Sequence, residues 1–410
     1  MSRFLSLLVI LSIPVVIAAA VTPQGETFAV KIDNPENGKI ELNPTIGADG
    51  RVAAGTVITV TTTPDPGYAF DSGYDATPGV WGKMYYESMT PVFQVTIDKD
   101  KSIGASFIKK ERLQGFHVKQ DVVYAQPGVK KLKYDVFSPD GAKKLPCLVI
   151  IHGGGWSTNT EDIMRGLARE LIKGGKYVAI SIDYRWIGKG DGDTTPNTMA
   201  NLIEDVYGAI AHIQEHAAEY GCDKYRIAVT GDSAGGHLSA AAINMTDRIG
   251  DGGFGKKPGV FEFLPSYMPK GKTAAQVRKE ITRAIKAAAP SYGVFGGAML
   301  KKYAGNAPDE SWVRAIAPAD QIPNVKKRAV PQYLLRGSKD PVITDEAVSS
   351  YAEALKAAGQ NAKYVQVEGA SHAFFDWKPD AQTKATFEKY GVPYAAEMKA
   401  FFDEVFYRKP

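Results

Sequence analysis

The stretch "RIAVTGDSAGGHLSAA", from Arg226 to Ala241, decides the fold, because a strand pattern runs into a glycine-flanked serine and then into a helix pattern. Ser233 lies between Gly231 and Gly235 in the order G-x-S-x-G. Small residues on both sides let a strand turn sharply into a helix, and this turn lifts the serine hydroxyl clear of the sheet. The sequence predicts that Ser233 is a nucleophile. The alternative is a strand-to-helix turn that carries no chemistry.

Strands and helices alternate from residue 115 to residue 410. "LPCLVIIHGGG" and "KYVAISIDYRW" are near-continuous apolar strands, and "TMANLIEDVYGAIAHIQEHAAEYG" is a long helix pattern. Such strands are buried on both faces, so the pattern predicts an α/β domain with a mostly parallel sheet. "QDVVYAQ" and "KLKYDVFSP" predict a hairpin at its start. Residues 247–280, rich in glycine, proline and lysine, are expected to form an insertion near the site.

The region of residues 22–110 has a different pattern, with short β-like runs separated by Asn-Gly, Asp-Gly and Pro-Gly pairs. The runs are "TFAVKID", "GKIEL", "GTVITVTTTP", "PVFQVTID" and "SIGASFI", and they predict a small all-β module. "NPENGKIELNP" and "GTVITVTTTPDPGYAF" resemble the Listeria–Bacteroides-type β-repeats of secreted bacterial proteins. The aromatic residues of the module form either a sugar-binding surface or a small core. They are Tyr68, Phe70, Tyr74, Trp81, Tyr85 and Tyr86.

The N-terminus predicts an export signal over residues 1–20. Arg3 precedes the apolar run "FLSLLVILSIPVVIAAA", whose alanines fit a small-residue cleavage site. The alternative is an uncleaved membrane anchor. We expect a secreted or periplasmic protein with no stable membrane insertion after signal cleavage.

Composition and cysteine content add two expectations. The net charge of +4 and the absence of a long basic run give no indication of nucleic-acid binding. Cys147 and Cys222 are the two cysteines of the chain. They form either a disulfide or two small buried apolar positions.

A serine nucleophile needs a base, and the base needs a carboxylate that orients it. After a serine elbow of this kind, the carboxylate comes next along the chain and the histidine last. Two histidines follow Ser233. His237 belongs to the helix that leaves the elbow, so we expect it to pack or hydrogen bond there. His372, in "EGASHAFF" after the last strand, is the predicted base.

Asp340 is the predicted carboxylate. It lies in "YLLRGSKDPVI", where Pro341 ends the penultimate strand. The rival carboxylates are Asp345, Glu346, Glu368 and Asp376. The first two are expected to serve the N-terminus of a helix.

The glycines of "IIHGGGW" let backbone amides approach a ligand closely. In an elbow site, the amide after the nucleophile, here that of Ala234, joins amides of such a loop to form an oxyanion hole. His152 is expected to brace the loop rather than transfer protons.

Five motifs in this order, "HGGGW", "SIDYRW", "GDSAGGHLSAA", "RGSKDPVI" and "GASHAF", resemble the hormone-sensitive-lipase-like esterases of the α/β-hydrolase superfamily. The resemblance is to the bacterial branch with feruloyl and acetyl-xylan esterases, and it spans Gly115–Tyr407. It implies an α/β-hydrolase fold and hydrolysis of carboxylic esters without a metal or an organic cofactor. It also implies that Gly154 and Gly155 are the loop donors of the oxyanion hole.

The expected substrate is a small ester or an acylated polysaccharide, with acetyl or feruloyl groups on plant or algal material. Trp156 and Tyr184 line the substrate pocket or belong to the core. The insertion at residues 247–280 leaves the acyl pocket open. Two alternative functions are a serine peptidase of the same fold and a glycan-binding protein with an inactive hydrolase domain.

Overall fold

The computed structural model describes residues 25–79, 82–252, 262–304 and 309–408. The chain forms two compact units, one ending at Ile108 and the other beginning at Lys109. The predicted export signal and Trp81 lie outside the described residues. Within those residues, no helix has both the length and the apolar character needed to cross a bilayer.

The N-terminal unit consists of two β-sheets. Its strands are β1 (Thr27–Ile32), β2 (Gly38–Asn43), β3 (Arg51–Ala53), β4 (Val57–Pro64), β5 (Tyr68–Gly79), β6 (Gly82–Ser88), β7 (Val92–Thr96) and β8 (Lys101–Lys109). One sheet has the order β3-β1-β8-β5-β6, and the other has the order β2-β4-β7. Alternate residues of β4 are buried, and Ile58 and Val60 pack in a core with Phe93 and Val95. This alternation is typical of a half-buried strand, and β4 lies in the run "GTVITVTTTP", for which the sequence predicted a strand.

Strands β5 and β6 were not predicted, because the segment contains Pro, Gly and Asp residues that disfavour strands. Gly73 shows why such a residue is needed. A Cβ at this position would lie 2.0 Å from the Phe93 ring, so only glycine admits the ring there. The aromatic residues of the unit divide between core and surface. Tyr74 is 7% exposed and Tyr86 is 44% exposed.

The C-terminal unit contains an eight-stranded sheet. Its strands are β9 (Phe116–Ala125), β10 (Leu132–Pro139), β11 (Leu145–Ile151), β12 (Val178–Ile182), β13 (Cys222–Asp232), β14 (Ile285–Ser291), β15 (Gln332–Gly337) and β16 (Ala362–Val367). The order is β16-β15-β14-β13-β11-β12-β10-β9. The pairs of β10 with β9 and with β12 are antiparallel, and the other pairs are parallel. The predicted α/β fold with a mostly parallel sheet is confirmed.

Helices connect several of these strands, and two further helices follow the last strand. They are α1 (Arg165–Ile172), α2 (Met199–His216), α3 (Ala234–Asn244), α4 (Ala274–Ala284), α5 (Gly297–Ala304), α6 (Glu310–Ile316), α7 (Asp345–Ala357), α8 (Ala381–Thr386) and α9 (Val392–Tyr407). Helices α4, α5, α6 and α8 were not predicted. The sequence did contain a helix-start signal for α4, because Thr273 and Gln276 have the spacing of a capping box and form one in the structure. This helix begins inside the predicted insertion, of which residues 253–261 lie outside the described residues.

The two cysteines are free thiols, and both are buried. A hydrogen bond from Cys222 and burial raise the pKa of the Cys147 thiol well above its usual value. In this structure they fill the second of the two predicted roles, as small buried side chains.

The parallel strands place one polar group after another at a single edge of the sheet. The glycine loop follows β11, Ser233 follows β13, and Asp340 comes three residues after the end of β15. His372 lies on the segment after β16. Because the carboxyl ends of parallel strands share one edge, residues distant in sequence converge there.

Candidate active site

Backbone crowding shapes the turn that carries Ser233. A Cβ at Gly231 would lie 2.5 Å from the Ile151 carbonyl oxygen, and a Cβ at Gly235 would lie 1.9 Å from it. Ser233 itself has a φ of 51° and a ψ of −114°, a conformation that costs free energy for a residue with a Cβ. Its N–H donates to the Ser291 carbonyl at 3.0 Å. The glycines are therefore a steric requirement of the elbow.

Ser233, His372 and Asp340 are joined by hydrogen bonds. His372 Nε2 lies 2.9 Å from Ser233 Oγ, and His372 Nδ1 lies 2.7 Å from Asp340 Oδ2. The histidine side chain is 17% exposed, whereas the Asp340 side chain is fully buried. The Tyr292 ring packs edge-on against the imidazole with the ring centroids 4.9 Å apart. The structure thus brings together the three residues that the order along the chain singled out.

The second carboxylate oxygen of Asp340 is held by backbone. Its Oδ1 accepts the N–H groups of Val342 at 2.8 Å and Ile343 at 2.9 Å. Burial raises the pKa of Asp340, but the His372 contact and these two amides outweigh it, so that the pKa lies below its ordinary value. An ionised carboxylate in this position fixes the imidazole and stabilises its cationic form.

The rival carboxylates have other partners or other positions. Asp345 begins α7 and accepts hydrogen bonds from Tyr364 and Gln366. Glu346 is also in the first turn of α7, and Glu368 is exposed. Asp376 pairs with Lys378, at an Oδ2–Nζ distance of 3.1 Å.

The glycine loop has left-handed backbone. The φ angles are 118° at Gly154, 59° at Gly155 and 62° at Trp156. A Cβ at Gly154 would lie 2.3 Å from the Thr158 carbonyl oxygen, so glycine is required there. The Gly154 carbonyl accepts the N–H groups of Ser157 and Thr158, each at 3.1 Å, which closes the loop.

The loop amides differ in their partners. The Gly153 N–H donates to Asp232 Oδ1 at 2.7 Å and is therefore occupied. Within the described part of the chain, the N–H groups of Gly154, Gly155 and Ala234 have no protein acceptor. Ala234 begins α3, where the helix dipole adds positive potential. These three amides are the expected oxyanion donors.

His152 and Tyr184 brace the loop from inside the protein. His152 is fully buried, with Nδ1 2.7 Å from the Gly153 carbonyl oxygen and Nε2 3.2 Å from Asp183 Oδ1. Tyr184 is stacked on the imidazole at 4.2 Å, and its hydroxyl donates to the His152 carbonyl at 2.9 Å. Tyr184 has no exposed surface, so it belongs to the core rather than to the pocket lining.

Trp156 also points into the protein and is 2% exposed. Its indole N–H donates to His237 Nδ1 at 3.3 Å, and His237 Nε2 donates to the Ile316 carbonyl at 2.9 Å. Burial lowers the pKa of His237 to about 4, which keeps the ring neutral and matches one donor and one acceptor nitrogen. A sequence motif identifies a residue but does not give the direction of its side chain. The sequence alone therefore could not decide whether Trp156 and Tyr184 line the pocket or belong to the core.

Asp232 and Tyr292 were not predicted as part of the site. Asp232 ends β13 directly before Ser233, and Tyr292 follows the end of β14 with a φ of 35°. The Tyr292 hydroxyl lies 3.4 Å from Asp232 Oδ2 and accepts the Phe375 N–H at 3.1 Å. The sequence feature that could have identified Asp232 and Tyr292 as site residues is their position at the carboxyl ends of two predicted strands.

One acidic cluster could in principle hold a cation. Oxygen atoms of Asp121, Asp135 and Glu161 all lie within 4.8 Å of one another. The ammonium of Lys133 contacts Asp121 and lies 3.3 Å from Glu161 Oε1. Burial together with neighbouring acids raises the pKa of Asp135 to about 7 and that of Glu161 to about 8. The negative charge of the cluster is thus offset by the ammonium of Lys133 and by protonation of Asp135 and Glu161.

The elbow predicts a strong effect of one added methyl group. Gly235→Ala should remove most of the folded, soluble protein, because the new Cβ cannot avoid the Ile151 carbonyl. Gly296→Ala is the matched control, since its Cβ would meet no atom within 4 Å. Soluble yield and thermal melting of both variants test this. A Gly235→Ala variant as stable as Gly296→Ala would contradict the steric argument.

Asp340 predicts an acid-dependent loss of stability. Its pKa is lowered in the folded state, so its ionised form stabilises the fold above the unfolded pKa of about 3.9. This contribution disappears as the pH falls through the folded pKa. The difference in unfolding free energy between wild type and Asp340→Asn should therefore be largest above about pH 5 and should shrink below about pH 4. Denaturant titrations across this range measure it, and a difference independent of pH would contradict the lowered pKa.

Three family models match separate parts of the chain. Residues 28–111 match the Divergent InlB B-repeat domain, residues 134–257 match the family described as BD-FAE, and residues 270–405 match the Dienelactone hydrolase family. The first match lies mostly in the N-terminal unit, and the other two lie in the C-terminal unit.

Three curated proteins with similar sequences are named as esterases or carboxylic ester hydrolases. Esterase LipQ of Mycobacterium tuberculosis is 28% identical over 277 residues, which cover 62% of this chain and 56% of that protein. Carboxylic ester hydrolase LipN of the same organism is 29% identical over 254 residues, covering 58% of this chain and 60% of that protein. The chain therefore spans little more than half the length of these relatives. Carboxylesterase NlhH of Mycobacterium tuberculosis is 36% identical over 120 residues, covering 29% of this chain and 34% of that protein.

Solved structures agree on the fold. Esterase 2 of Thermogutta terrifontis phosphonylated by cyclosarin is 25% identical with a TM-score of 0.52, over 72% of this chain and 97% of that chain. The native form of the same esterase is 24% identical with a TM-score of 0.51, over 73% and 95% of the two chains. The C-terminal unit thus has the α/β-hydrolase fold and is similar to these esterases, and the N-terminal unit is similar to the Divergent InlB B-repeat domain.

Proposed function

We propose that this chain is a serine carboxylic ester hydrolase. The observation that carries the proposal is the hydrogen-bonded series Ser233–His372–Asp340. Beside it lie backbone amides that have no acceptor among the described residues, at Ala234 next to the serine and at Gly154 and Gly155 in the loop after β11. A nucleophile with an oriented base, together with free donors for a developing oxyanion, is the equipment that acyl transfer needs.

The first half of the reaction is acylation of Ser233. Its hydroxyl oxygen attacks the ester carbonyl carbon while His372 Nε2 takes the hydroxyl proton. Asp340 accepts the Nδ1–H of the imidazole, keeps the tautomer that leaves Nε2 free to act as a base, and stabilises the imidazolium. The imidazolium then gives its proton to the leaving alcohol oxygen as the acyl–oxygen bond breaks.

The negative charge that forms on the carbonyl oxygen is met by the amides of Gly154, Gly155 and Ala234. Each donor that strengthens its bond in the transition state contributes about 3 kcal/mol. Water then attacks the acyl-serine, with His372 acting again as the base, and releases the acid. The left-handed backbone of the glycine loop keeps the amides fixed before the charge appears, so that little reorganisation is needed.

The proposed substrates are acetyl or feruloyl esters on plant or algal polysaccharide. The sequence motifs that resemble feruloyl and acetyl-xylan esterases support this choice, and the BD-FAE family match lies over the nucleophile region. A secreted or periplasmic location fits such a substrate, and Arg3 with the following apolar run supports that location. The role proposed for the N-terminal β-repeat unit is attachment to the polymer, because its sequence resembles modules of secreted bacterial proteins.

Ser233→Ala should lower kcat/KM for esters by about a thousandfold or more, because the nucleophile is lost while the binding groups remain. Wild type and variant are assayed on p-nitrophenyl acetate, a long-chain p-nitrophenyl ester, acetylated xylan, feruloylated arabinoxylan and a peptide anilide. The acetyl or feruloyl substrates are expected to give the highest wild-type kcat/KM. Ser350→Ala, at an exposed serine of α7, is the control and should match wild type.

Three outcomes would contradict the proposal in different ways. Ester hydrolysis that survives Ser233→Ala with little loss would remove the serine mechanism. Faster cleavage of the peptide anilide than of every ester would favour a serine peptidase of the same fold. If the folded wild type hydrolyses none of the panel but binds the polysaccharides, the chain is a glycan-binding protein with an inactive hydrolase domain.

A further inference from the structure

Two buried carboxyl groups join the parts of the proposed site. Asp232 directly precedes Ser233, and Asp376 comes four residues after His372. They are 1% and 6% exposed, and their side chains are hydrogen bonded to each other. A hydrogen bond between two carboxyl groups needs a proton on one of them, because ionised carboxylates only accept. The pair therefore holds at least one proton.

The other bonds of the pair reach three segments. Asp232 Oδ1 accepts the Gly153 N–H at 2.7 Å, which ties the glycine loop to the elbow. The Tyr292 hydroxyl donates to Asp232 Oδ2 at 3.4 Å and accepts the Phe375 N–H at 3.1 Å. Tyr292 therefore links Asp232 to the segment that carries His372. The relative position of nucleophile, base and oxyanion donors thus depends on these bonds.

The charges near the pair locate its proton. Lys378 Nζ is 3.1 Å from Asp376 Oδ2, so the nearest positive charge lies on the Asp376 side. Burial and the Asp376 charge raise the pKa of Asp232 well above its usual value. The phenols of Tyr184 and Tyr292 also face Asp232, and burial raises the pKa of each, so both stay neutral. Asp232 is therefore the neutral acid of the pair, and its hydroxyl donates a hydrogen bond to Asp376.

We propose that Asp232 is a positioning residue that acts as a neutral acid. It accepts the Gly153 amide and donates to Asp376, and in this way it holds the Gly154 and Gly155 amides beside Ser233. Because it is neutral, it adds no negative charge next to the position where the oxyanion forms. The inference rests on the proposed ester hydrolysis and assigns a role within it.

The proposal has a consequence for the pH dependence. Asp232 keeps its proton below its raised pKa and loses it as the pH rises through that value. Deprotonation puts a negative charge beside the developing oxyanion and replaces the bond to Asp376 by repulsion. The kcat of wild type should therefore fall at alkaline pH, with little change in KM.

Asp232→Asn separates this role from simple packing. The Asn oxygen can accept the Gly153 N–H, and its NH₂ can donate to Asp376 and to the Tyr292 hydroxyl oxygen. The variant therefore keeps the bonds to Gly153 and Asp376 without being able to ionise, although its NH₂ cannot accept from the Tyr292 hydroxyl as Oδ2 does. With p-nitrophenyl acetate at pH 7, its kcat should stay within about threefold of wild type. Between pH 6 and 9.5 its alkaline decline should disappear or move to higher pH.

Asp376→Asn is the opposing variant. It removes the negative charge that keeps Asp232 protonated, so Asp232 ionises at lower pH, kcat at pH 7 falls at least about tenfold, and the alkaline decline moves to lower pH. Adding Asp232→Asn to Asp376→Asn removes the ionisable acid and should restore most of kcat. Asp140→Asn, at an exposed position after β10, is the matched control and should leave the pH profile unchanged.

Three results would overturn the inference. They are a folded Asp232→Asn variant with kcat reduced more than about a hundredfold, a pH profile of that variant identical to wild type, and a double variant no better than Asp376→Asn. If Asp232→Asn does not fold, an alkaline decline that stays in place in Asp376→Asn is decisive against it. Failure of the inference leaves the loss of activity in Ser233→Ala untouched, whereas failure of the proposed function appears in that variant.

Discussion

The approach of the Ser233 turn to the end of β11 is the constraint on which the rest of the site depends. A Cβ at Gly235 would stand 1.9 Å from the Ile151 carbonyl oxygen, so the start of α3 passes this strand with only backbone between them. The same approach forces a positive φ at Ser233 and brings the glycine loop, which begins one residue after His152, next to the nucleophile. The close approach of the two backbones therefore both strains Ser233 and brings the nucleophile next to the oxyanion donors.

Two carboxyl groups near this turn are held in opposite states by their surroundings. Asp340 receives two amide N–H groups and His372, which together lower its pKa and keep it ionised where a cationic imidazole forms. Asp232 faces another carboxyl group in a buried place, which raises its pKa and favours the neutral acid where an anion forms. Distinct environments that push two like groups apart in pKa are a known way to divide roles within a site.

The sequence predicted the sheet class and the three-residue series, because the elbow motif and the order of serine, aspartate and histidine depend on local patterns and chain order. It could not predict the burial of Tyr184, because stacking on His152 depends on how two strand ends lie side by side. The pairing of Asp232 with Asp376 could not be predicted either, because it also depends on how segments distant in sequence lie side by side. Strands β5 and β6 escaped prediction, since Gly73 is selected by the Phe93 ring against which it packs and not by strand propensity.

The central claim is that Ser233 is the nucleophile of an acyl-transfer reaction. The most direct measurement is intact-mass and peptide-mapping mass spectrometry after reaction with an organophosphate ester, combined with assay of p-nitrophenyl acetate hydrolysis. The account predicts one adduct per chain, located on Ser233, that increases in step with the loss of hydrolysis. Full loss of hydrolysis with Ser233 unmodified, or full modification of Ser233 with hydrolysis retained, would contradict it.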